Sequence, residues 1–398
     1  MIPRLLTLSL IRTPSGREGL LLVLFRFQPL TSAPIRIPEI VLDKGYPCEE
    51  HIVTTTDYYE IHIFRVPHGP STKPGGPPVL LSHGVFDSAG SWVLNYPGQS
   101  LPYILADAGY DVWLGNVRGN KYGDKRKGDH PGNLWAFSFD EQGKFDVPNT
   151  VDYILNATEH RKVSIIAHSQ GCTQTFAAFQ FHPQLAEKVN FFAALAPAGH
   201  FEHNKSVLMK LASHLHFAEI LKVVGVRKFV PMTDANLRLL CLTFAADPEG
   251  VSPLLELIFG PNHGEFPSKR YGVMCHNFMG MTSVQNMIHW SQLVRSKKLR
   301  LYDYGPIENL VRYGQTEPPR YDIHATYPKD VPIAVWYGSN DLLVNEKDAE
   351  KLIDELPVPP VFKKNIPEYA HMDFILGQNA HAKIYSDLTS LLKQLVPP

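Results

Sequence analysis

Cysteine is scarce in this sequence: the four present, Cys48, Cys172, Cys241 and Cys275, are scattered along 398 residues, and none pairs in a C-x-x-C spacing. A disulfide framework and a dithiol metal or redox motif are thereby excluded. An excess of charge of either sign is also lacking. With 38 Lys and Arg against 39 Asp and Glu, the formal net charge is -1 at pH 7. No basic run offers a track for phosphates, so nucleic acid is not an expected partner. No stretch after the first residues reaches the roughly 18 to 20 uninterrupted apolar residues that a spanning helix needs. A soluble or peripheral chain without a transmembrane helix is expected. Internal repeats and low-complexity tracts are absent too.

What remains is ordinary globular material, 44% apolar and 19% charged, long enough for one large α/β domain and a sizeable insertion. The first 36 residues read as a targeting-like or poorly ordered segment, in which Arg4, Arg12, Arg17 and Arg26 surround an apolar run, Leu20 to Phe25, that is short for a signal core. From Ile37 the pattern becomes regular. Tyr59 to Val66 alternates like a strand, and the Pro/Gly-rich stretch His68 to Pro78 is a turn, implying a hairpin-like entry. Short apolar runs then recur at helical separations: Val79 to Leu81, Asp111 to Leu114, Val163 to Ala167, Phe191 to Leu195 and Ile333 to Trp336. Strands alternating with helices predict a mostly parallel central sheet flanked by helices.

Between Pro197 and Ile323 the rhythm breaks. Helical patterning over Val207 to Val224, Ala235 to Phe244, Leu254 to Phe259 and Ser283 to Val294, without clear strands, predicts an inserted helical cap. The cap either gates substrate entry or is a packed accessory subdomain. The expected organisation is 37–199 for the first part of the core, 200–323 for the cap and 324–398 for the rest of the core. Cys241 and Cys275 fall in the insertion, where they could form one bridge, whereas Cys172 reads as a packed free thiol.

Ala167-His168-Ser169-Gln170-Gly171 follows a strand-like run and precedes the helix-like Cys172 to Phe179. A strand, a tight turn and a helix are the context of a nucleophile elbow, whose geometry needs small residues two before and two after the serine. Alone the string is weak evidence, because a serine before a helix is more often an N-cap. A serine hydroxyl needs a base within hydrogen-bond reach, and the base needs a group that fixes its tautomer. Asp341, in the turn after Ile333 to Trp336, is placed as that orienting acid, although by itself it reads better as an Asx-turn or an N-cap for a helix starting near Asn345. Only His371 and His381 lie beyond it, and His381 falls inside the expected last helix, which leaves His371 as the base. Asp373, two residues from the histidine, is the rival acid. Early in the chain, His83-Gly84-Val85 follows a strand where an oxyanion loop belongs. The backbone N–H groups of Val85 and Gln170 are the expected oxyanion donors, with His83 bracing the loop.

With these residues placed, the chain from Ile37 onward resembles the acid lipase family, which includes gastric and lysosomal acid lipases and steryl ester hydrolases. The resemblance rests on Gly45 to Glu50, Ser82-His83-Gly84 with Asp87-Ser88 and Trp92, Gly109 to Asn116, Trp135 to Glu141, Thr282-Ser283-Val284-Gln285-Asn286, Asn340 to Leu343 and His371 to Phe374. It implies an α/β-hydrolase fold with an inserted lid, and hydrolysis of triacylglycerols or steryl esters through an acyl-enzyme. Ser169, Asp341 and His371 match the family triad, Val85 and Gln170 the oxyanion positions, and no cofactor or metal is required. It further implies a lipid ester substrate at a lipid–water interface, with peripheral membrane or lipid-droplet contact, and a secreted, lysosomal or vacuolar location. A lipid-droplet or cytoplasmic location is the alternative, and Asn156-Ala157-Thr158 and Asn204-Lys205-Ser206 are sequons that would suit secretion. The chain departs from the family in having Ala167 where glycine is usual, Met274 to Met281 in place of Pro-Ala-Gly, and an atypical N-terminus. A carboxylesterase or thioesterase for small esters is the second reading, and a catalytically silent binding protein the third.

Overall fold

The computed structural model describes residues 9–12, 18–21, 36–130, 132–229, 256–261 and 280–398. Met1–Ile35 and Arg36–Pro398 are separate compact units. In the first, Ser9–Arg12 and Glu18–Leu21 form an antiparallel hairpin.

The second unit is built on a nine-stranded sheet. Its strands are β1 (Glu49–Thr54), β2 (Tyr59–Val66), β3 (Pro78–Ser82), β4 (Asp111–Leu114), β5 (Lys125–Arg126), β6 (Val163–His168), β7 (Val189–Leu195), β8 (Ile333–Gly338) and β9 (Phe362–Ile366). The order across the sheet is β9-β8-β7-β6-β3-β4-β2-β1, with β5 paired to the start of β2. Strands β9 through β4 run parallel, while β1, β2 and β5 make the antiparallel end. Each apolar run read from the sequence lies in one of these strands, but the hairpin expected through the turn His68 to Pro78 is not formed: β2 pairs antiparallel with β1 and β4, and β3 lies between β4 and β6.

Side chains that alternate along a strand separate onto the two faces, and here both faces are covered. Val79, Leu81, Val112, Leu114, Ile166, Ala193, Leu195, Ala334 and Trp336 pack into one core. Leu80, Trp113, Ile165, Ala167, Phe192, Ala194, Val335 and Tyr337 pack into the other. The sheet is therefore a rigid slab, and the loops at the C-terminal ends of β3, β6, β8 and β9 are held at one edge of it.

The region between β7 and β8 is helical where it is described. The single pattern Val207 to Val224 is two helices, α2 (Val207–His214) and α3 (Phe217–Val223), because His216 takes a left-handed backbone, φ 51°, that ends one and starts the other. Residues 256–259 are helical, and α4 spans Val284–Ser296. The expectation of no strands here needs one correction: Lys228–Phe229 and Thr282–Ser283 form a short antiparallel pair. Ala235 to Phe244, Cys241 and Cys275 lie outside the described residues. Among the described residues, no helix is long and apolar enough to cross a membrane. Cys172 is a buried free thiol, as its helical position predicts.

Candidate active site

At the end of β6 the chain turns through Ser169 into α1 (Gln170–Phe181). Ser169 has φ 54° and ψ -122°, a strained conformation for a residue with a side chain. Neighbouring backbone fixes it: its N–H donates to Leu195 O at 3.0 Å and its carbonyl accepts from Cys172 N at 3.0 Å. A glycine is required two residues on, since a Cβ on Gly171 would lie 2.8 Å from Ser82 O and 2.9 Å from His83 O. Ala167, two residues before, is fully buried in β6, so its extra methyl is accommodated.

The serine hydroxyl donates to His371 Nε2 at 2.8 Å, and His371 Nδ1 lies 2.7 Å from Asp341 Oδ2. All three side chains are buried. The residues are 202 and 30 positions apart in the chain, and the ends of β6, β8 and β9 bring them together. Asp341 uses its two carboxylate oxygens differently. Its Oδ1 accepts from Leu343 N and Val344 N, both at 2.8 Å, which is an Asx-type turn, while Oδ2 faces the imidazole. Asp373 turns away from that ring and accepts from Ala370 N at 2.7 Å, so the rival acid braces the histidine loop.

The loop after β3 lies against Ser169. A Cβ on Gly84 would lie 3.0 Å from Ser169 Cβ and 3.4 Å from its Oγ. Val85 follows directly, and among the described residues neither its N–H nor that of Gln170 donates to another protein group. Phe86, next in the loop, has φ 57° and is tied through its carbonyl to Gly280 N at 2.7 Å. His83 is buried and pairs with Gly84 O at 2.8 Å and Asn120 Nδ2 at 3.1 Å; burial lowers its pKa to about 4, so it is a neutral brace.

Two features were not legible in the sequence. His168 Nε2 donates to the carbonyl of His371 at 2.9 Å, and burial, then the nearby His371, push its pKa well below the usual histidine range. It holds the His371 backbone as an uncharged ring. Phe259 O accepts from His371 N at 3.1 Å and from Leu342 N at 3.4 Å, so the region between β7 and β8 reaches both His371 and the turn that carries Asp341. Hydrogen bonds to a backbone carbonyl leave no residue-type signal by which a sequence could announce them.

The comparisons agree with this architecture. The chain matches the alpha/beta hydrolase fold over residues 77–378 and the partial alpha/beta-hydrolase lipase region over residues 37–96. It is 39% identical to gastric triacylglycerol lipase of Bos taurus over 373 residues, covering 91% of this chain and 92% of that one. Identity to lysosomal acid lipase/cholesteryl ester hydrolase of Rattus norvegicus is 37% over 373 residues, covering 91% and 92%. Among solved structures, a soluble variant of monoglyceride lipase from Saccharomyces cerevisiae shares the fold with a TM-score of 0.54 at 15% identity, covering 86% of this chain and 95% of that one. The chain belongs to the acid lipase family of α/β-hydrolase-fold proteins.

Proposed function

We propose that the protein hydrolyses lipid carboxylic esters, triacylglycerols or steryl esters, through an acyl-enzyme on Ser169. The observation that carries this reading is the buried line from Ser169 Oγ through His371 to Asp341, beginning at a serine held in a strained turn. In the proposed cycle His371 takes the serine proton as the hydroxyl attacks the ester carbonyl. Asp341 keeps the proton of Nδ1 in place and stabilises the imidazolium, and the amides of Val85 and Gln170 hold the oxyanion. The alcohol leaves with the proton from His371. Water then repeats the sequence on the acyl group and releases the fatty acid.

Two relatives are named for triacylglycerol and cholesteryl ester substrates, which supports a long-chain ester over a small soluble one. The helices α2 and α3 expose Val207, Leu208, Leu211, Ile220 and Val223, with Leu215 exposed between them, an apolar surface suited to a lipid–water interface. We take 200–323 as the lid over the acyl site, and a secreted or lysosomal location as the one that suits these relatives. Of the two sequons, Asn156 is exposed, whereas Asn204 is buried and donates to Leu343 O at 2.8 Å. A glycan on a secreted form would therefore sit on Asn156.

The test combines a fluorophosphonate probe with hydrolysis of emulsified triolein, emulsified cholesteryl oleate and soluble 4-nitrophenyl butyrate. Labelling that vanishes in Ser169→Ala, together with turnover of an emulsion, is the expected result. No labelling, or labelling that persists in Ser169→Ala, would overturn the assignment of the nucleophile. Turnover confined to 4-nitrophenyl butyrate would favour the small-ester reading.

A further inference from the structure

The Gln170 side chain does not point to solvent. It is buried, and a buried amide must have its donors and acceptor matched. Its Oε1 accepts from Trp290 Nε1 at 2.6 Å and from Asn286 Nδ2 at 2.9 Å. Its Nε2 donates to Gln142 Oε1 at 2.9 Å, an oxygen shared with Gln174 Nε2 at 2.9 Å, and Gln142 Nε2 donates to Arg118 O at 3.1 Å. Asn286 and Trp290 stand four residues apart on α4, so they project from one face of that helix.

Asn286 is itself fixed from the other side. Its Oδ1 accepts from Phe139 N at 2.9 Å, its N–H donates to Ser283 Oγ at 2.8 Å, and Ser283 Oγ donates to Phe137 O. Two of the sequence blocks that carry the family resemblance, Trp135 to Glu141 and Thr282 to Asn286, therefore interlock, and together they close on one side chain. None of these groups touches Ser169, His371 or Asp341 through a hydrogen bond.

Resting on the reading that Gln170 N–H is an oxyanion donor, we infer that Asn286 and Trp290 are positioning residues that set the direction of that donor. Gln170 is the first residue of α1, and the peptide that carries its N–H is held at the carbonyl end, where Ser169 O accepts from Cys172 N at 3.0 Å and from Ala198 N at 3.4 Å. Two donors from α4 and one acceptor from Gln142 fix its side chain, and through Cα they hold the other end of that peptide. A preorganised donor stabilises developing charge without reorganising during the reaction, and a small misplacement costs rate rather than ground-state affinity. The inserted helix thus acts on the chemistry as well as on access.

The experiment compares Trp290→Phe and Asn286→Asp with the wild-type full chain on soluble 4-nitrophenyl butyrate, normalised to sites titrated by fluorophosphonate. Trp290→Phe removes one donor and keeps an aromatic ring; Asn286→Asp turns a donor into an acceptor facing Gln170 Oε1. Expected losses in kcat are roughly tenfold and roughly a hundredfold, with KM within about twofold. The inhibition constant of butylboronic acid, whose tetrahedral serine adduct places an oxygen in the same hole, should rise by the same factors. Wild-type kcat in both variants would overturn the inference, as would a fall in kcat without a matching loss of boronate affinity, the pattern of a merely structural role. Failure of the proposed function, with Ser169 as nucleophile, has a different signature: the wild-type chain itself would neither be labelled nor bind the boronate, and the inference would fall with it.

Discussion

Asp341→Asn tests the catalytic line at its most constrained atom. The carboxylate has two jobs: Oδ1 accepts from Leu343 N and Val344 N, and Oδ2 faces His371 Nδ1. An asparagine keeps one oxygen and must choose which job to do. Turning its oxygen toward His371 would aim the NH2 group at two backbone N–H donors, one buried at Val344 and one half-buried at Leu343. Leaving such donors unpaired costs about 1–3 kcal/mol each, so roughly 3 kcal/mol holds the oxygen on the turn. The NH2 group then faces Nδ1, which must become an acceptor, and the proton moves to Nε2, where it blocks acceptance of the Ser169 proton. The tautomer term alone is about a hundredfold at ~1.4 kcal/mol per factor of ten. Loss of the charged partner of the imidazolium adds about 1.5–3 kcal/mol. The expected fall in kcat for 4-nitrophenyl butyrate is therefore about 10³- to 10⁴-fold, close to the loss seen for this substitution in other serine triads. Thermal stability should stay near wild type, because the turn keeps its acceptor. Activity within tenfold of wild type would refute the argument and move the acid elsewhere.

Three further substitutions probe the frame around the triad. Gly84→Ala places a methyl 3.0 Å from Ser169 Cβ; displacement of the oxyanion loop should lower kcat/KM about a hundredfold, read with the same soluble ester on folded protein. Ala167→Gly restores the residue usual in the family and removes a methyl that already fits, so turnover should stay within about twofold while urea unfolding shows a loss of about 1 kcal/mol. Asp87 is buried beside Ser91 and Ser88 N, and burial raises its pKa from 3.8 to about 7. Between those values the folded chain holds a proton that the unfolded chain has released. The stabilisation is thus complete below pH 4 and lost as pH rises through 7. The melting temperature should fall across that interval, less steeply in Asp87→Asn, and parallel slopes in the two proteins would contradict the assignment.

The strands, the elbow and the order serine, aspartate, histidine were legible because each is local: alternation, a small-residue string, a polar turn after an apolar run. The same locality explains what was not legible. Val207 to Val224 read as one helix because period alone does not register the left-handed backbone at His216. The short pair Lys228–Phe229 with Thr282–Ser283 is too brief to show any alternation at all. Asp341 remained divided between a cap and a catalytic role because the sequence does not say that one carboxylate oxygen sits on the turn while the other faces the His371 ring.

The inserted region illustrates the deeper limit. Its Asn286 and Trp290 carried the spacing of one helical face, which alone reads as a packed stripe. Their common partner lies 116 and 120 residues away, and only the tertiary fold selects Gln170 from the other buried amides. Three contacts, Phe259 O on the base, Gly280 N on the oxyanion loop and the pair on Gln170, place the insertion against three parts of the proposed machinery. A lid that only covered a finished site would contribute nothing to a substrate small enough to need no cover. If these contacts act as described, weakening them should slow turnover of a water-soluble ester, where a pure gate predicts no change or a gain.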